Sequence, residues 1–207
     1  MAQILRIKKK AVVCCTGGSE FRVSREEISA VKQKALAENA PAASGGKAPG
    51  KASSPMVNVC EKILEAFPDG VRACRYGCLG GGSCEAVCRL KAIHVSEEGI
   101  AEVDEEKCVG CGLCAKVCPQ HLIRLFPEID SIRPLCSNQD AGKDAAKVCR
   151  DACIACGVCV RNCPSGAIEI VDRHAVIDTE KCISCGMCAV KCPRGVIHDR
   201  DGIMTAE

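Results

Sequence analysis

Short apolar stretches set between polar ones predict small strands and two helices in the first third of the chain. Residues 4–7 and 11–13 read as brief strands, with a basic turn at Lys8, Lys9 and Lys10 between them. Residues 21–23 read as another. Ser24 and Glu27 have the spacing of a capping box, a hydroxyl at the N-cap and a carboxylate three residues on. A helix over about 25–37 follows, with Ile28, Val31, Ala35 and Leu36 on one face. Residues 39–54 have a linker's composition, Ala, Gly, Ser and Pro without an apolar period. A flexible chain of that length reaches on the order of 20 Å. Ser54 and Pro55 open a second helix over 55–70, with Met56, Cys60, Ile63, Leu64 and Phe67 at helical spacing and Pro68-Asp69-Gly70 as its stop.

From Val71 onward cysteine dominates the pattern. The chain has 21 Cys in 207 residues but three Phe, one Tyr and no Trp, so an aromatic core is excluded and cross-links or metal must hold it together. Three stretches share the form C-x2-C-x2-C-x3-C-P: Cys108, Cys111, Cys114 and Cys118; Cys153, Cys156, Cys159 and Cys163; Cys182, Cys185, Cys188 and Cys192. This is the iron–sulfur run of bacterial ferredoxins, in which the fourth Cys ligates the other cluster of a pair. An odd number of Cys and no signal-peptide pattern at the start argue against disulfides. Zinc suits two Cys pairs separated by a longer loop, not four thiolates crowded into one run.

The pairing rule needs an even number of runs, and a fourth lies at 71–93. Its Cys74, Cys78, Cys84 and Cys88 align without a gap on Cys149, Cys153, Cys159 and Cys163. Only Cys156 has no counterpart, and Gly81 stands in its place. Ile93, Ile123, Ile168 and Ile197 each follow the last Cys of a run by five residues. Two ferredoxin-type modules result. In the second, Cys153, Cys156, Cys159 and Cys192 hold one cluster, and Cys182, Cys185, Cys188 and Cys163 the other. In the first, Cys108, Cys111, Cys114 and Cys88 hold the regular cluster. Cys78, Cys84 and Cys118 hold the irregular one, with Cys74 as the expected fourth ligand; the alternative is a 3Fe–4S cluster with Cys74 free. Gly80, Gly81 and Gly82 let backbone N–H groups approach that cluster and give it a potential of its own. Cys14, Cys15, Cys60, Cys136 and Cys149 are left over. They are either buried thiols or, for Cys15, Cys60 and Cys136 with a neighbour, ligands of one further cluster or metal.

Charge is uneven. Residues 1–51 carry a net +6 and residues 52–207 a net −4. The basic segment is either a solvated face or a dock for an acidic partner such as a small ferredoxin. Its basic residues are not interleaved with aromatics, which argues against nucleic acid. No apolar stretch is long enough for a membrane span. No GxGxxG, P-loop or paired acid–base constellation is present, so no catalytic residue is expected. The four His, at 94, 121, 174 and 198, read as structural.

Three segments carry a family resemblance: ACRYGCLGGGSCEAVC, VDEEKCVGCGLCAKVCPQHLI and PLCSNQDAGKDAAKVCRDACIACGVCVRNCP. With AVVCCTGG and Cys60 they make the chain resemble the polyferredoxin of the Rnf complex, a ferredoxin:NAD⁺ oxidoreductase. The family's usual membrane helix and first cluster domain have no counterpart here, and the Pro expected after Cys88 is Arg89. The resemblance therefore implies a soluble, shortened relative, cytoplasmic or peripheral to a membrane complex. It would relay single electrons through four 4Fe–4S clusters between ferredoxin and flavoprotein oxidoreductase subunits, as part of a hetero-oligomer. The alternatives are a redox enzyme subunit whose irregular cluster binds substrate, and a structural iron–sulfur scaffold. The expected fold is α+β: a small basic α/β segment (1–38), a linker (39–54), a helix (55–70) and two tandem 2×(4Fe–4S) ferredoxin-like modules, 71–135 and 136–207.

Overall fold

The computed structural model describes residues 8–38 and 58–201. The expected strand at 4–7, the linker, Ser54, Pro55 and Met56 lie outside the described residues. Two units of the same design fill the rest, each made of an outer strand pair and an inner hairpin around short helices.

The first unit begins much earlier in the chain than the cysteine runs suggest. Strand β1 (Lys9–Val13) includes two of the lysines expected in a turn. Lys10 belongs there because its Nζ reaches in to the carbonyls of Glu105 (2.7 Å) and Cys108 (2.9 Å), while Ala11 and Val12 are buried. Helix α1 (Arg25–Glu38) starts at the expected capping box. The Ser24 N–H donates to Glu27 Oε2 (3.0 Å), and the Glu27 N–H donates to Ser24 Oγ (3.2 Å). The strand expected at 21–23 reduces to one bridge between Phe21 and Arg72. Helix α2 (Val59–Ala66) follows Asn58. Ile28, Ala35, Val59, Ile63, Val71 and Leu79 form a core between the two helices, with Val59 and Ile63 wholly buried.

Helix α3 (Ser83–Ala86), strands β2 (Ile93–Val95) and β3 (Ala101–Val103), helix α4 (Leu113–Lys116) and strand β4 (Ile123–Pro127) complete the first unit. β2 and β3 make the hairpin, and β1 pairs antiparallel with β4, Val13 opposite Ile123. The N-terminal segment is thus no separate domain: it supplies a strand of the first module, and α1 and α2 are an insertion within it.

The second unit is continuous: β5 (Ile132–Pro134), α5 (Gly142–Val148), α6 (Val158–Arg161), β6 (Ile168–Val171), β7 (His174–Ile177), α7 (Met187–Val190) and β8 (Ile197–Asp199). β6 and β7 form the hairpin, and β5 pairs with β8, Pro134 opposite Ile197. The boundary expected at 135/136 therefore falls too late, because β5 belongs to the second module. Each module's core combines cysteines with small and aliphatic residues. In the first these are Cys84, Cys108 and Cys114 with Ala92, Ile93, Ala101 and Ile123; in the second, Cys159 and Cys188 with Ile168, Ile177 and Ile197. All four isoleucines of the expected register are buried. Between the modules Arg133 is paired with Glu105, Arg124 Nη2 lies 2.9 Å from His174 Nε2, and Arg75 lies 3.3 Å from Asp140.

Candidate iron–sulfur centres

The four runs share one backbone trace. Two residues before the third Cys of each run, Gly82, Gly112, Gly157 and Gly186 have positive φ and cap the short helices α3, α4, α6 and α7. Two residues earlier, Gly80, Gly110, Ala155 and Ser184 have positive φ as well. Three residues after the last Cys, so do Lys91, His121, Gly166 and Gly195. Left-handed backbone at three matched places per run is costly for non-glycine residues, so tertiary structure must enforce it. The irregular run has all three.

This winding aims backbone N–H groups at sulfur. The amides of Ala92, Ala167 and Val196 donate to Cys88, Cys163 and Cys192 Sγ at 3.3, 3.3 and 3.4 Å, and that of Leu122 donates to Cys118. Such donors stabilise charge on a cluster's thiolates and tune its potential. Burial pushes the Cys114 and Cys159 thiols up to about 11 and Cys188 up to about 12. Ligation of a cluster displaces the proton of each thiol it takes up.

Two of the expected sets come together whole, and a third in part. Cys88, Cys108, Cys111 and Cys114 line one cavity, and Cys153, Cys156, Cys159 and Cys192 another. Cys163, Cys182 and Cys188 pack on the same core. Among the described residues no three such side chains meet closely enough to hold a single metal ion. A cubane, whose four thiolates bind four different irons, spreads them wider than one ion does.

At the irregular run another cysteine stands where the expected ligand should. Cys78, Cys84 and Cys118 line a cavity whose fourth thiol is Cys60, not Cys74. Its volume, about 20 Å³, equals that of the regular Cys153 site. A Cβ built on Gly81 would fall 2.6 Å from Cys60 Sγ. Helix α2 thus delivers its thiol where the missing cysteine's side chain would start. Ser83, itself wholly buried, fixes the approach by accepting the Cys60 N–H (2.9 Å). Burial, then the neighbouring Gly80 and Ala101 amides, leaves Cys78 up at about 11. Burial raises Cys84 further, with the neighbouring Cys60 sulfur the next largest influence on it. Cys74 is instead turned away, taking a hydrogen bond from Asn138 Nδ2 at 3.2 Å. The physical reason is the insertion: α1 packs on α2 and carries Cys60 to the run from outside it. The clue in sequence is a cysteine on the apolar face of a helix beside a run short of one ligand.

Of the other leftover cysteines, Cys15, Cys136 and Cys149 lie with Cys74 at the junction of the modules. Cys14 is buried beside them, its thiol pushed up to about 11 by burial. His174 is buried, in keeping with a structural role.

Two families, each described as a 4Fe-4S dicluster domain, match this chain, one over residues 73–125 and the other over residues 152–196. The B component of the Na⁺-translocating ferredoxin:NAD⁺ oxidoreductase complex of Acetobacterium woodii is 47% identical over 112 residues, covering 54% of this chain and 34% of that protein. The B component of an ion-translocating oxidoreductase complex from Methanosarcina acetivorans is 38% identical over 120 residues, 58% of this chain and 46% of that one.

The chain carries two 4Fe-4S dicluster domains and is similar, over about half its length, to the B components of ion-translocating oxidoreductase complexes. Its two dicluster domains fall within the two modules, leaving out β1 and the α1–α2 insertion of the first and β5, α5 and β8 of the second. The corresponding component of the proton-translocating ferredoxin:NAD⁺ oxidoreductase complex of Clostridium ljungdahlii is 36% identical over 120 residues, 58% of this chain and 41% of its own length. The chain spans between a third and a half of the length of these relatives. None of its described helices is long and apolar enough to cross a membrane.

Proposed function

We propose that the chain is an iron–sulfur electron-transfer subunit, relaying single electrons between a ferredoxin and flavoprotein subunits of an oxidoreductase complex. The observation that carries this reading is Cys60. With it, each of the four runs belongs to a set of four thiols: Cys60, Cys78, Cys84 and Cys118; Cys88, Cys108, Cys111 and Cys114; Cys153, Cys156, Cys159 and Cys192; Cys163, Cys182, Cys185 and Cys188. A complete thiolate set favours 4Fe–4S over 3Fe–4S at the irregular run. It also leaves no iron short of a protein ligand to act on a substrate, as the enzyme reading would need. Each 4Fe–4S cluster, when bound, takes up and returns one electron at a potential set by its surroundings.

The residues' own part is to bind, orient and exclude water. Cysteines supply the anionic sulfur, the positive-φ turns aim amides at it, and the buried isoleucines wall off the inner side. Anaerobic redox titration followed by EPR tests the proposal. Every cluster should reduce reversibly, with cyanide leaving all signals unchanged. A cyanide-shifted signal that disappears in Cys60→Ser would favour the substrate-binding alternative, and irreducible clusters would favour a scaffold.

A further inference from the structure

The two modules can be overlaid by register, and the overlay accounts for the leftover cysteines. Val13 lies opposite Ile123, and Pro134 lies opposite Ile197; both isoleucines are the fifth residue after a run. Val13 and Pro134 are therefore equivalent. The equivalence continues: the Cys14 N–H donates to the Leu122 carbonyl (2.7 Å) and the Leu135 N–H to the Val196 carbonyl (2.9 Å). One step further on, Cys15 matches Cys136. At the other end Cys74 and Cys149 each precede the first Cys of their module by four residues. Each module thus carries the same two extra cysteines at the same two places, and Cys14, matching Leu135, is outside the pattern.

The fold brings these two pairs together. Buried Asn138 bridges Cys74 and Cys136: its side-chain Nδ2 donates to Cys74 Sγ (3.2 Å) and its backbone N–H to Cys136 Sγ (3.4 Å). The loop after Cys15 is tied to the segment after Cys149. The Arg150 N–H donates to the Gly18 carbonyl (3.3 Å), and Thr16 Oγ1 donates to Asp151 Oδ2 (3.3 Å). That loop is also tied to the segment holding Cys74. Arg72 donates to the Ser19 carbonyl (2.9 Å), and the Ala73 N–H to the Glu20 carbonyl (2.8 Å). Cys74 is in electrostatic reach of Cys15 and Cys149, Cys136 of Cys74, and Cys149 of Cys136 and Cys15. Backbone amides of Tyr76, Cys153 and Asp151 point at Cys74, Cys136 and Cys149, the same N–H to sulfur contact seen at the runs.

We propose that Cys15, Cys74, Cys136 and Cys149 hold a fifth 4Fe–4S cluster at the seam, two thiolates from each module. The proposal rests on the iron–sulfur reading of the modules. Its position gives it a role. Cys15 neighbours Cys78 of the Cys60 set, and the Cys153 N–H donates to Cys136 Sγ (3.3 Å) in the next. The seam lies between one inner centre of each module, so electrons crossing from module to module pass through it one at a time. Binding displaces a proton from each of the four thiols.

Iron and acid-labile sulfide counts on the full chain, reconstituted anaerobically with ferrous iron and sulfide, test this. The expected content is about 20 irons per chain, against about 16 if only the runs are loaded. Cys136→Ser and Cys149→Ser should each lose about four irons and four sulfides. Cys14→Ser should lose none. A wild-type content of about 16 that neither variant lowers overturns the proposal, as does loss of a single metal ion without sulfide. If a variant fails to fold, the wild-type count decides. Failure of the four-run reading is separable, because it appears in Cys60→Ser and leaves the effect of Cys136→Ser intact.

Discussion

Module 2 is built from one unbroken stretch, and its runs have every cysteine in place. Module 1 reaches the same geometry by other means. Its first strand is separated from the rest by two helices, and one of those helices brings the fourth thiol of the irregular set. The difference teaches that position around the centre matters more than position in the run. Gly81 and Cys156 are equivalent in sequence, yet the thiol that corresponds to Cys156 in space belongs to Cys60.

The largest effect should come from breaking that correspondence. Gly81→Cys alone drives a side chain into Cys60 Sγ, 2.6 Å from the new Cβ, and should sharply lower folded yield. Cys60→Ala should remove about four irons, or leave a three-iron EPR signal. Combining the two should restore iron content, since φ at Gly81 is not in the glycine-favouring region. If the double variant is no better than Cys60→Ala, the equivalence is wrong.

Next comes the packing that carries Cys60. Ile63 is wholly buried between α1 and α2, so Ile63→Ala should cost roughly 2–5 kcal/mol in chemical denaturation. The loss should appear as earlier release of module 1 iron, with module 2 iron retained. Simultaneous release from both modules would mean that they unfold as one unit.

Smaller is the effect of Arg72, a buried cation without a carboxylate partner in its hydrogen bonds. It donates to the carbonyls of Ser19, Cys78 and Glu98 and lies 4.0 Å from the Phe21 ring centroid. Arg72→Met should cost about 3 kcal/mol by leaving those carbonyls unpaired. Module 2 has no such clamp among its described residues, and none of its centres should change.

The smallest effect concerns pH. Burial, with Arg124 close by, holds the His174 imidazole below its ordinary 6.5. A neutral ring fits the contacts, Nδ1 donating to the Asp172 carbonyl (3.2 Å) while Nε2 accepts from Arg124. Its contribution is therefore complete above 6.5 and is lost as pH falls through the lowered value. The melting temperature should drop more on acidification in wild type than in His174→Gln. Parallel pH profiles would refute the assignment.

How far the sequence reveals this molecule depends on whether a feature is local. The four runs are local, and the gapless alignment with its isoleucine register finds even the irregular one. The capping box at Ser24 is local too. By contrast Cys60 meets Gly81 only through the packing of α1 on α2, and Cys15 meets Cys149 only once both modules exist. Cys74 does match Cys149 as a position, but it is not among the thiols that line the irregular cavity. The match means that both face the seam, which no spacing within one run can express.

The detached first strand also orders events during synthesis. Module 2 can close as soon as its own continuous segment has emerged. β1 must wait for β4 across most of the first module, a pairing of high sequence separation that is slow to form. The seam draws its thiols from near the start of the chain and from beyond Leu135, so it closes last. A chain whose early half misfolds would carry filled ferredoxin sites in module 2 and no route between the halves. Completion of the seam therefore reports that the entire polypeptide has assembled.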